Sequence, residues 1–141
     1  EVDEIDGALL AVGLDNIFLI SPTTPEARIQ TIVERARGFI YCVAVKGVTG
    51  SGQLNAEEVS RSVALIRQKT DLPIAVGFGI KDAESARAVA ASADAVVVGS
   101  ALIAEMDKKA QSDEDLQEIQ IHDAAVQLLQ SMRAGVDSSP S

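Results

Sequence analysis

Tryptophan is absent from the chain, and aromatic residues of every kind make up only 3% of its 141 residues. It has one tyrosine, one histidine and one cysteine. Each scarcity removes a class of function. A single cysteine cannot close an internal disulfide, which fits a reducing compartment and predicts a cytoplasmic protein. With one histidine and one cysteine no structural zinc cluster can be assembled. Basic residues are few as well, 12 against 21 acidic ones, and the net charge of −9 leaves no electrostatic footprint for nucleic acid. No apolar run approaches the ~20 residues of a membrane-spanning helix. The first residues are acidic rather than basic and then apolar, so they do not read as a secretory signal.

What is present is a hydrophobic fraction of 47%, enough for a core. Val2, Ile5, Leu9 and Val12 recur at helical spacing up to Gly13. Ile17 to Ile20 is a short apolar run closed by Ser21-Pro22, the pattern of a buried strand. Thr24 is placed to cap a helix with Pro25 in its first turn, and Ile29, Ile32, Val33 and Ala36 form its apolar face. Strands are then predicted over Phe39–Val45, Pro73–Phe78 and Ala95–Val98, where β-branched residues concentrate. Asn55 and Asp82 stand where the intervening helices should start. A short helix follows Ser100, and a last one, capped by Ser112, turns Leu116, Ile119, Ala125, Leu128, Leu129 and Met132 inward. Residues 135–141, rich in Gly, Ser and Pro, are expected to form a frayed tail after a folded unit of residues 1–134. The order α-βα-βα-βα-βαα predicts an α/β fold with a parallel sheet.

In such folds ligands sit in the loops after the strands. Three of those loops carry glycine: Gly47 to Gly52, Gly77-Phe78-Gly79, and Gly99-Ser100. Glycine lets the backbone approach an anion, and amides at a helix start point toward it. Two such loops after neighbouring strands, with a short helix behind Ser100, favour a phosphate site over simple tight turns.

Taken together, Arg37-Gly38-Phe39-Ile40-Tyr41, Lys46-Gly47-Val48-Thr49-Gly50, Gly77-Phe78-Gly79-Ile80 and Val98-Gly99-Ser100-Ala101 resemble the tryptophan synthase alpha subunit. Leu14 to Pro22 fits the same register, and the likeness covers essentially the whole chain. It implies parallel β/α units forming the C-terminal half of a (β/α)8 TIM barrel, with four strands present. It also implies a lyase of tryptophan biosynthesis that cleaves indole-3-glycerol phosphate to indole and glyceraldehyde 3-phosphate by a retro-aldol reaction. Gly50, Gly79, Gly99 and Ser100 would hold the substrate phosphate. Tyr41 and Phe78 would border the indole pocket, and Thr49 would belong to a mobile loop over the substrate. The family often has a second tyrosine at the place of Phe39, where a hydroxyl is absent here. The implied partner is the pyridoxal-phosphate-dependent beta subunit, and no cofactor or metal is implied for this chain.

The family's acid/base Glu and Asp belong to a second strand and its loop, and no match to them occurs in this chain. Positioned acid–base groups are typically worth ~10²–10⁴-fold, so the isolated chain is expected to be inactive. The carboxylates present, such as Glu57, Glu58, Asp82 and Glu84, read as helix-start or helix-face residues. Cys42 reads as core and His122 as remote from the loops, while Lys46 reads as solvent-facing rather than as a Schiff-base lysine. Four strands of a barrel leave two open edges, which invites one of three arrangements. The N-terminal half is a separate piece, two copies self-associate, or the sheet flattens into an open doubly wound form. A start at Glu1, without Met and inside a helix, favours a fragment. The alternative function is a phosphate-binding half-barrel without catalysis. Another phosphate-binding barrel enzyme, such as a phosphoribosyl isomerase, fits less well with the Gly47–Gly50 loop.

Overall fold

A computed structural model describes residues 2–44, 55–111 and 118–138 of the chain. The expected glycine loop at 46–54, the capping Ser112 and Leu116 lie outside the described residues. The elements run α1 (Val2–Ala11), β1 (Leu19–Ile20), α2 (Glu26–Arg35), β2 (Ile40–Val43), α3 (Ala56–Arg67), β3 (Ile74–Gly77), α4 (Ala83–Ala90), β4 (Ala95–Val97), α5 (Ser100–Gln111) and α6 (Glu118–Asp137). This is the order expected from the hydrophobic periods. No described helix is long and apolar enough to cross a membrane.

The four strands pair in parallel in the order β1-β2-β3-β4. Ile20, Cys42, Val76 and Val96 form one row across the sheet, and Leu19, Tyr41, Ala75 and Ala95 form the next row, on the opposite face. The first face carries the core. Ile20, Ile40, Cys42, Ile74 and Val76 are buried there with Ile29 and Val33 of α2, Val63 and Ile66 of α3, and Ala86 and Val89 of α4. The second face is not covered to the same degree. Leu19 is 62% exposed and Ala95 is exposed, so within this chain the apolar strands β1 and β4 are covered on one face only. Both strands are sheet edges.

The helix starts follow the expected chemistry at two places and depart from it at one. The Asn55 side chain accepts from the amides of Glu57 and Glu58. Asp82 and Ser85 form a reciprocal capping box at α4. At α2 the capping position is taken by Pro25 without a side-chain bond, and the Thr24 hydroxyl instead accepts from the amide of Ser21. Thr24 therefore closes the turn after β1 rather than the helix.

The last helix also differs from expectation. Met132 is buried and Leu128 packs on the core, but Ile119 is 68% exposed and Leu129 also faces outward. Helix α6 continues through Gly135 to Asp137, into the segment expected to fray. Gly135 is there because α6 crosses α4 at backbone distance: a Cβ on it would lie 2.5 Å from the carbonyl oxygen of Ala83.

At the opposite end of the sheet Asp94 ties three elements together. One carboxylate oxygen accepts from the Ile74 amide and from the Arg67 guanidinium, each at 2.8 Å. The Asp94 amide donates to the Ile74 carbonyl at 3.0 Å. The Ile74 amide is the main reason the Asp94 carboxyl sits below its ordinary range, with Arg67 adding to it. Asp82 is lowered likewise, first by the Ser85 hydroxyl and then by the Ser85 amide.

Two predictions follow from these contacts. Gly135→Ala should lower thermal stability by roughly 1–3 kcal/mol, since a backbone carbonyl cannot step aside. Gly7→Ala, on a helix position with nothing within 4 Å of an added Cβ, should cause no loss. Thermal unfolding of the two variants checks this. For acid stability, carboxyls lowered in the folded state stabilise it above the ordinary carboxylate range, and this is lost as pH falls through the lowered values. Asp94→Ala should therefore be less stable than the parent at neutral pH, with the gap closing on acidification. A gap independent of pH would remove Asp94 ionisation from the account.

Candidate functional site

Parallel pairing places the ends of β2, β3 and β4 side by side, so the loops that follow them share one rim. Tyr41 stands on the uncovered face of β2, half-buried, in register with Ala75. Its side chain reaches across β3 until the phenol oxygen occupies the space where a Cβ on Gly77 would be. Gly77 thus makes room for Tyr41. The value of this glycine is steric, which its place at the junction of the predicted strand and the glycine loop does not reveal.

Past Gly77 the chain turns sharply. Phe78 has φ 85° and Gly79 φ 79°. Positive φ suits glycine and strains phenylalanine, a cost of about 1–3 kcal/mol that a fold tolerates where geometry demands it. Ile80, at 3% exposure, anchors the far side of the turn, and Phe78 is left 62% exposed at the rim. The positive φ of Phe78 has no signature in residue type.

Of the helices that begin on this rim, those after β3 and β4 differ in what they offer an anion. At α4 the amide of Ser85 is taken by Asp82, and the amides of Lys81 and Asp82 reach the Ser85 hydroxyl. Asp82 and Glu84 add negative charge to that helix start. At α5 the first turn contains no acidic residue. The Gly99 carbonyl accepts from Leu102 and Ile103, which begins the helix at Ser100. A Cβ on Gly99 would meet nothing within 4 Å, so the backbone is open to solvent there. A helix start with exposed backbone and no carboxylate nearby is the better anion cradle of the two.

The structure thus brings Tyr41, Phe78, Gly79, Gly99 and Ser100 to one side of the sheet. Thr49 and Gly50 lie outside the described residues. Cys42 is buried among core residues, and burial pushes its thiol up to about 11, which suppresses thiolate chemistry. Lys46 is outside the described residues, and His122 is exposed on α6.

The sequence profile described as tryptophan synthase alpha chain matches residues 1–133. The chain belongs to the tryptophan synthase alpha chain family. The alpha chain of Chromobacterium violaceum is 54% identical over 107 residues, covering 76% of this chain and 41% of that one. That of Bordetella parapertussis is 47% identical over 138 residues, covering 97% and 48%. Among solved structures, tryptophan synthase subunit alpha from Legionella pneumophila superposes with a TM-score of 0.78 at 34% identity, over 97% of this chain and 48% of its own. A tryptophan synthase of M. tuberculosis, solved in an aminoacrylate-bound form, gives 0.74 at 26% identity over 96% and 46%. The chain spans about half the length of these tryptophan synthase alpha relatives. Four parallel strands are half the strand count of their (β/α)8 barrels.

The Tyr41–Gly77 contact can be tested directly, because Tyr41 is the only tyrosine in a chain without tryptophan. Gly77→Ala should drive the phenol out of its place over β3. Intrinsic tyrosine fluorescence should change in intensity and quenching by added iodide, while far-UV circular dichroism stays as in the parent. Unchanged emission would mean that the ring does not depend on Gly77.

Proposed function

We propose that this chain supplies the C-terminal half of a tryptophan synthase alpha barrel, the half that holds substrate by its phosphate. The parent protein would be a cytoplasmic lyase of tryptophan biosynthesis, cleaving indole-3-glycerol phosphate to indole and glyceraldehyde 3-phosphate. The observation that carries the assignment of the phosphate is the α5 start. Backbone amides at Ser100 and Ala101, beside the open Gly99, would donate to phosphate oxygens, and the Ser100 hydroxyl would add a donor. Gly79 would let the neighbouring loop approach from the β3 side, and Gly50 would complete the cradle from the β2 side. Tyr41 and Phe78 would border the indole, and Thr49 would lie in the closing loop.

Chemistry demands more than this. One proton must reach indole C3 and one must leave the glycerol hydroxyl. Asp82 is engaged as a cap, and other carboxylates at the described helix starts, such as Glu57, Glu58 and Glu84, read as helix-start residues rather than as an acid and base. The acid/base Glu and Asp would come from the other half of the barrel, so the isolated chain would bind and not turn over. A beta subunit that uses pyridoxal phosphate would be the partner of the complete alpha chain.

Thermal unfolding of the 141-residue chain with inorganic phosphate and with glyceraldehyde 3-phosphate tests the binding half of the proposal. Saturation at 100 times Kd should stabilise by about 2.7 kcal/mol. Gly99→Asp has room for its side chain and should fold normally, yet it should abolish the shift by placing a carboxylate in the cradle. Indole release should be undetectable from the chain alone. Absence of any ligand-dependent shift would overturn the site, and indole release would overturn the assignment of the acid and base.

A further inference from the structure

The turn between β3 and α4 faces two conflicting demands. It must begin a helix, and Asp82 does so with a carboxylate that accepts from the Ser85 amide at 2.8 Å. The same turn carries Gly79, at φ 79°, on the side of the proposed phosphate site. A capping carboxylate stabilises a helix start but repels an anion held beside it, and Glu84 in the first turn adds a second negative charge. Gly77 and Val97 stand opposite each other at the ends of β3 and β4. Neighbouring strands lie about 4.8 Å apart, so the two turns leave the sheet within the screening distance of about 8 Å. A phosphate at Gly99 and Ser100 would therefore feel the charge of the α4 start.

Lys81 stands between these demands. Its backbone is held from both sides: Ile80 before it is buried, and its own amide donates to the Ser85 hydroxyl at 3.1 Å. The residue itself is exposed. In the segments that join strand ends to helix starts on the rim, it is the only lysine or arginine among the described residues. It enters none of the ion pairs found among the described residues, so its charge is not committed to a distant carboxylate. Its charge does act on Asp82. The Ser85 hydroxyl and amide do most to hold that carboxyl below its ordinary range, and the Lys81 ammonium adds to them.

We infer that Lys81 is a charge-compensating residue of the phosphate site, offsetting the Asp82 cap so that an acidic helix start and a phosphomonoester dianion can occupy neighbouring turns. This rests on the phosphate reading of Gly79, Gly99 and Ser100. The action of Lys81 is through its field across one turn, not through a hydrogen bond to the ligand. That separates it from the backbone donors of the cradle, which act at contact and are far less sensitive to salt.

The test is the affinity of the 141-residue chain for inorganic phosphate and for glyceraldehyde 3-phosphate, by calorimetric titration at low and high sodium chloride. Lys81→Gln should raise Kd about three- to tenfold at low salt, and the difference should fade at about 1 M salt, where screening sets in within about 3 Å. Lys81→Arg should bind as the parent does. Asp82→Asn keeps a good capping side chain and loses the charge, so it should fold normally and bind more tightly. Joining it to Lys81→Gln should return Kd to within about twofold of the parent. Without any ligand, an NMR titration of the Asp82 carboxyl should move up toward the ordinary carboxylate range in Lys81→Gln. A Lys81→Gln chain that binds like the parent at low salt overturns the inference. A loss that persists undiminished at high salt also overturns it, because it would mark a contact or a structural role. An Asp82 titration that does not move overturns the coupling of the two charges. If the parent binds neither ligand, the phosphate reading fails and this inference fails with it, whereas binding by the parent that Gly99→Asp abolishes and Lys81→Gln leaves untouched sinks the role of Lys81 alone.

Discussion

Everything in this molecule depends on the one-sided burial of a parallel sheet. The outer face of β1 to β4 is sealed by α2, α3, α4 and Met132 of α6, with Ile40, Ile74, Val76 and Val89 fully enclosed. That contact is what makes four short strands a stable unit, since strands of two to four residues contribute few ladder bonds of their own. It also fixes polarity. With all strands pointing the same way, the loops after β2, β3 and β4 have no choice but to share a rim, and functional side chains gather there. The cost is carried by the other face, where Leu19 and Ala95 meet solvent.

The two ends of the sheet are built for different purposes. At the start of β3 and β4, Asp94 satisfies an amide and a guanidinium together and welds α3 to the strands. At the finish, the backbone is held in unfavourable conformations and the side chains are left open, as at Phe78. Stability at one end and strain at the other is the expected division in a parallel β/α fold, where the loops after the strands hold the ligand. The helix starts after β3 and β4 extend the contrast. The start of α4 is closed by its own Asp82–Ser85 box, while that of α5 carries no carboxylate in its first turn.

Much of this was legible in the residues. Alternation of apolar runs with 3.6-residue periods gave the element order, and Asn55 and Asp82 announced their helices because a short polar side chain before an apolar period has few other uses. The glycine loops pointed to the rim, and Gly79, Gly99 and Ser100 do sit there. What could not be read was long-range. Leu19 and Ala95 look like core residues in any window, and only the sheet order reveals them as edges. Gly135 looks like tail punctuation, and only the crossing of α6 over α4 shows why it lacks a Cβ. The same holds for Gly77, whose neighbour in space, Tyr41, is far away along the chain. Thr24 was read as a cap from its place before Pro25, but the turn after β1 competes for the same hydroxyl and wins.

The bare start of α5 belongs to a chain with a net charge of −9. For the proposed phosphate site this means that an anionic ligand approaches against the protein's overall field and is favoured only at close range. Long-range repulsion fades beyond the screening distance of about 8 Å at physiological salt, whereas hydrogen bonds from backbone amides act at contact. Recognition would then be separated from capture. Encounter would be slow at low ionic strength and quicken as salt is added, the reverse of electrostatic steering. Selection would fall to the few amides that no neighbouring carboxylate has claimed.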